Sequence, residues 1–137
     1  MTRSSVWRAE TAEKEETGTR PNRRSRALLD AIADLGAVAG LDEAGSLAIY
    51  GPLIEGTLGN ARALGIRAAL TGPMTRGDVG TLDAHLAAMA AHAPDALELY
   101  AAAARREIVL AQERGALAPE TAAAMTASVV AALARAD

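Results

Sequence analysis

The sequence contains no cysteine and no phenylalanine, and with one tryptophan and two tyrosines its aromatic content is 2% of 137 residues. Without thiolates there is no ligand set for a disulfide scaffold, an iron–sulfur cluster or a zinc–thiolate site. Lysine is nearly as scarce. The single one, Lys14, lies close to the N-terminus, which excludes lysine-based catalysis from the rest of the chain. Long apolar runs are missing too: charges interrupt the alanine-rich stretches every few residues, and the opening MTRSSVWRAETAEKEE has no apolar h-region. Neither a spanning helix nor a secretory signal is expected, no membrane partner is implied, and the cytoplasm is the default location.

What is present is alanine. Hydrophobic residues are 50% of the chain, and alanine supplies the share that aromatic residues would otherwise take. Alanine favours helices, and it packs poorly in sheets, where β-branched and aromatic side chains dominate. The expected class is therefore all-α. Alanine also buries little apolar area per residue, so helices built from it approach closely but form a core short of bulk, and a partner surface is expected to complete it. The length suits one ordinary domain.

The formal net charge is -3, unevenly shared: residues 1–26 sum to +3 and the remainder to -6. An acidic folded part lacks the clustered positive charge that displaces counterions from phosphates, so no nucleic-acid partner is expected. The basic run PNRRSR at residues 21–26 has no interleaved aromatic residue to stack on bases and reads as a solvated lead-in. Residues 1–24 form a hydrophilic extension, expected to be disordered, and residues 25–137 form the helical domain.

Periodicity divides that domain into five or six helices in a compact bundle. Ser25 is a candidate cap for a first helix with Leu28, Ile32, Leu35 and Ala39 inward and Gly40 as its stop. Asp42 caps a long second helix that would turn Leu47, Tyr50, Leu53 or Ile54, Thr57, Ala61 and Leu64 inward, with a kink at Pro52 and an end at Gly65. Asp78 caps a third, burying Val79, Leu82, Leu86 and Met89. A fourth starts at Pro94 and buries Leu97, Ala101, Ala104, Ile108 and Ala111; a fifth starts at Pro119 with Met125, Val129 and Ala132 or Leu133 inward. The short run IRAALTG at residues 66–72 is also compatible with a strand.

Chemistry-bearing patterns are few. No glycine-rich strand–turn–helix motif and no phosphate-cradling loop is present, so no cofactor is assigned to this chain. The glycines of GTLGN at residues 56–60 lie inside the second helix and read as points of close approach for another helix. His85 and His92 share a face without a carboxylate to complete a metal site, so no metal is assigned. The stretch ALTGPMTRGD at residues 69–78 is different. Thr71, Gly72 and Pro73 turn the chain, Gly77 permits a positive φ, and Asp78 caps the helix that follows. Arg76 is required by none of this. A guanidinium beside a helix N-terminus is a competent contact for phosphate or carboxylate, so a small-anion site is one reading of it, and a solvated arginine is the other.

Residues 28–117 resemble the C-terminal helical domain of bacterial proteins described as Rossmann-like and DUF2520 domain-containing. AGLD at residues 39–42, PLIEGTLGN at 52–60, ALTGPMTRGD at 69–78 with the following TLDAHLAAM, and LYAAAARREIVLA at 99–111 carry the resemblance. It implies a fold similar to the C-terminal domain of the 6-phosphogluconate dehydrogenase and ketopantoate reductase group, in which the helical domain closes a substrate cleft and supports a homodimer. It further implies that Asn60, Thr71, Gly72, Pro73, Arg76, Gly77, Asp78 and His85 line or brace the cleft, with no catalytic step assigned to any of them. In the family NAD or NADP sits on a Rossmann domain, which this sequence does not contain. Such a domain is expected on a partner chain if the protein is to act as an oxidoreductase; a structural or protein-interaction module with no catalytic role is the alternative.

Overall fold

The structure is a computed structural model that describes residues 22–136. Six helices make up its regular structure: α1 (Arg23–Val38), α2 (Glu43–Leu64), α3 (Pro73–Arg76), α4 (Val79–His92), α5 (Pro94–Glu113) and α6 (Pro119–Ala134). The all-helical class read from the composition is observed, and the described residues contain no strand. IRAALTG is a turn followed by the lead-in to α3. None of the helices described is long and apolar enough to cross a membrane.

By its internal contacts the chain divides into residues 1–30 and residues 31–137. Of the first unit only residues 22–30 are described, so the expectation of disorder in the extension falls mostly outside the described residues. There Asn22, not Ser25, caps α1: its Oδ1 accepts from the Arg24 N–H at 3.0 Å, the bond an N-cap supplies to an otherwise orphan amide. Leu28, expected to face inward, is exposed, as is Leu29.

In the second unit α1 ends at Gly40, which has φ +80°. The Leu41 N–H reaches back to the Gly36 carbonyl at 3.0 Å, and the Gly40 N–H to that of Ala37 at 3.0 Å, satisfying carbonyls the helix end leaves free. Asp42 then caps α2, accepting from the Gly45 N–H at 2.7 Å. The two helices touch where Gly36 meets the buried Ser46. A methyl group on Gly36 would collide with the Ser46 hydroxyl, whose proton is donated to the Asp42 carbonyl.

The core lies elsewhere. The principal helix packings are among α3, α4, α5 and α6, and neither α1 nor α2 takes part in one. Leu82 and Leu86 of α4, Leu97, Ala101, Ala104, Ile108 and Ala111 of α5, and Met125, Val129 and Ala132 of α6 are buried, at the spacing the sequence predicts. Met74 of α3 and Leu117 join them. Proline opens α3, α5 and α6, where its missing N–H costs nothing.

Helix α2 departs from expectation. Of the side chains expected inward, Leu53 is 63% exposed and Ile54 40%, and Leu47 and Leu64 are exposed as well; so is Leu58, on the same helix. Apart from the backbone of α2 itself, nothing among the described residues stands within 4 Å of where a Cβ on Gly56 or Gly59 would lie, so the helix expected to approach there is not found among the described residues. The alternation of apolar residues is right; the surface they fit is absent from the described residues.

Candidate functional site

A polar seam runs along α3, α4 and α5 and begins at the turn TGPMTRGD. Gly72, at φ +109°, and Pro73 start the short α3, with the Thr75 hydroxyl donating to the Gly72 carbonyl at 2.8 Å. The turn buries Met74 as an anchor. Gly77 adopts the left-handed conformation, φ 66° and ψ 28°. The Asp78 N–H then donates to the Pro73 carbonyl at 3.0 Å, closing the turn. The loop before it is held from outside: the Arg114 guanidinium donates to the Leu70 carbonyl at 2.7 Å, and Arg67 pairs with Glu113 at 3.0 Å. These two contacts fix the segment leading to Thr71 against the C-terminal end of α5.

Asp78 is the cap expected of it. Its Oδ1 accepts from the Thr81 N–H at 3.0 Å and its Oδ2 from the Thr81 hydroxyl at 2.7 Å. Those bonds, the hydroxyl's first, hold its pKa below the ordinary aspartate value despite some desolvation, and the charges of Arg76 and His85 act in the same direction. A carboxylate so engaged is a poor general base.

His85, one turn beyond Thr81, faces α5. Its Nδ1 lies 2.8 Å from the Tyr100 hydroxyl, and the rings meet edge to face with centroids 6.0 Å apart and an interplanar angle of 75°. With the imidazole protonated on Nε2, the phenol donates to Nδ1 and the exposed Nε2–H remains available to an external acceptor. Burial raises the Tyr100 pKa, and the Glu107 charge adds to the rise. Glu107, two turns along the same helix, is half-buried, and desolvation raises its pKa. The seam thus sets a hydrogen-bonded His–Tyr pair between an ionised aspartate and a carboxyl that resists ionisation.

The structure brings Gly72, Pro73, Arg76, Gly77, Asp78 and His85 onto this seam. Thr71 is exposed at its entrance, and Asn60 stands apart on α2. Arg76 is exposed and has no ion pair among the described residues. Sequence reasoning missed Tyr100, Glu107 and Arg114. Tyr100 carried a signal, being one of only two tyrosines and adjoining the buried Ala101; Glu107 and Arg114 carried none, since their environments are made by other helices and a loop. Among the described residues no cluster of His, Asp and Glu is arranged to hold a metal ion. The seam offers a donor at Arg76, and a second at His85 Nε2 in the tautomer whose Nδ1 accepts from Tyr100, and is suited to contact a carboxylate or phosphate.

A family model described as a domain of unknown function, DUF2520, matches residues 24–107. The matched segment contains α1 to α4, most of α5 and the whole seam. The chain matches no curated protein and no solved structure.

Proposed function

Because the chain belongs to the DUF2520 family, we propose that it is the helical dimerisation and substrate-cleft domain of an NAD(P)-dependent oxidoreductase-like protein, working in the cytoplasm with the nucleotide held by a Rossmann domain outside these residues. An all-helical domain of this kind is compatible with a dimerisation or interaction module. The observation that carries the reading is α2, which presents a row of large apolar side chains that no helix among the described residues covers. Contiguous apolar surface on a folded protein marks a place where another surface docks. The seam supports the cleft half of the reading, since Arg76 and His85 are both exposed beside the capped start of α4. A fold of the 6-phosphogluconate dehydrogenase C-terminal type belongs to the same proposal.

Light scattering over a concentration series, with and without NADPH, tests it. The expected result is a dimer whose mass and melting temperature ignore NADPH. A stable monomer would remove the dimerisation role, and micromolar NADPH binding would show that the nucleotide site is on this chain.

A second reading, a small-anion site, is favoured by the unpaired Arg76 alone. Titration with inorganic phosphate should then move the backbone amide resonances of residues 72–81 in the native protein but not in Arg76→Ala; equal shifts in both would end it.

A further inference from the structure

Helix α2 is joined to the bundle by a linker built to turn. Among the described residues α2 takes part in none of the principal helix packings, so what joins it to the core is chiefly residues 65–72. Both ends of that linker are glycines with positive φ: Gly65 has φ 87° and ψ 150°, and Gly72 has φ 109° and ψ -173°. Positive φ with ψ this extended is open essentially to glycine alone, and a glycine leaves it for other conformations at little steric cost. The chain between them is a closed unit. The Ala69 N–H donates to the Gly65 carbonyl at 3.0 Å, so residues 66–69 form a turn with its own hydrogen bond, and any change of φ and ψ falls on the two glycines.

Two side chains at the C-terminal end of α5 grip this unit. Arg114 Nη1 donates to the Leu70 carbonyl at 2.7 Å and lies 3.4 Å from the carbonyls of Arg67 and Ala68, and Glu113 pairs with Arg67 at 3.0 Å. Leu70 also rests against the core, so the end of the linker next to Gly72 is the anchored one and Gly65 is the freer pivot. All three gripping side chains are exposed. Water can therefore replace each contact, and an ion pair in that setting holds weakly. We propose that residues 65–72 are a latched hinge: α2 swings against the bundle about Gly65, and Gly72 joins the swing when Arg114 and Glu113 let go. The latch sets the position of α2 relative to the turn at residues 72–78, where the seam begins. The hinge goes beyond the dimerisation reading and does not depend on it.

The chain has no cysteine, so a spin-label pair can be placed in the full chain by Glu55→Cys on α2 and Arg105→Cys on α5, both exposed positions. Glu55 lies on the Gly65 side of Pro52, so a bend at the proline does not enter the measurement. It stands about 15 Å along the helix from Gly65, so a swing of about 30° moves the label by about 8 Å. Labelled chain is diluted with unlabelled chain, and the label-to-label distance within one molecule is read by pulsed electron resonance. The latched protein should give one narrow distance distribution. Arg114→Ala in the labelled chain should broaden it by several ångströms while the amides of α2 keep their hydrogen-exchange protection. Arg67→Ala removes only an exposed side chain from the grip, keeps the test decisive if Arg114→Ala folds poorly, and should broaden the distribution by a smaller amount. A distribution unchanged in both variants, or already as broad without them, would overturn the latch. Broadening accompanied by faster exchange throughout α2 would mean that the helix melts instead of swinging, and would overturn the hinge.

Discussion

His85 of α4 and Tyr100 of α5 share a hydrogen bond of 2.8 Å across the helix interface, tying two core helices together on their polar side. Tyr100→Phe keeps the edge-to-face packing and deletes the hydroxyl. The expected cost is about 1 kcal/mol of stability, the usual net value of one hydrogen bond, read by chemical denaturation. The ring nitrogens should also lose their preference for the Nε2-protonated tautomer, which nitrogen chemical shifts of His85 would register. An unchanged tautomer balance would mean that the hydroxyl does not orient the imidazole.

Glu107 makes the bundle less stable when it ionises. Its folded-state pKa is raised by desolvation, so relative to the unfolded chain the native state prefers the neutral carboxyl. Its penalty is absent well below the ordinary glutamate pKa, grows as pH rises through that value and is complete above the raised folded pKa. Glu107→Gln should therefore raise the melting temperature at neutral pH, and its advantage should vanish at low pH. Thermal melts of both proteins across that range check the sign.

Gly77 combines a left-handed backbone with a crowded surrounding. A Cβ there would lie 3.1 Å from Thr121 Cγ2 and 3.5 Å from Leu117 Cδ1. Gly77→Ala should cost about 1–2 kcal/mol from the backbone conformation alone, with the α6 contact adding to it. Gly115 has φ +74° but open space around it, so Gly115→Ala isolates the backbone component, and the difference between the two variants measures the contact.

Arg114 and Arg76 should behave oppositely. Arg114 holds the Leu70 carbonyl at 2.7 Å, and Arg114→Ala should speed hydrogen exchange at residues 66–71 while α4 and α6 keep their protection. Arg76 bonds to no neighbour in the described residues, so Arg76→Ala should leave the melting temperature nearly unchanged. A loss above about 2 kcal/mol would make Arg76 a structural clamp.

Much of the local structure was legible in the sequence because its causes are local. Asp42 and Asp78 cap as read, Pro94 and Pro119 open helices as read, and Gly40, Gly65 and Gly77 take positive φ at helix ends; the short helix opened by Pro73 was read only as a turn. The turn at residues 72–78 was read correctly as a corner. The seam was half legible: Arg76, Asp78 and His85 were named, but Tyr100 comes from the next helix, and no pattern in one segment reveals the face another turns toward it.

The sequence by itself determined that the chain is helical, where most of its helices begin and end, and which side chains of α4, α5 and α6 are apolar enough to be buried. Each of those outcomes follows from a propensity or a period carried within one segment. Only the tertiary structure decided which apolar stripes find a partner. The stripes of α4, α5 and α6 close on one another, whereas that of α2, just as apolar, is left exposed among the described residues. Periodicity marks a face as fit for burial, but burial depends on a second surface, and whether that surface belongs to the same molecule is a property of packing.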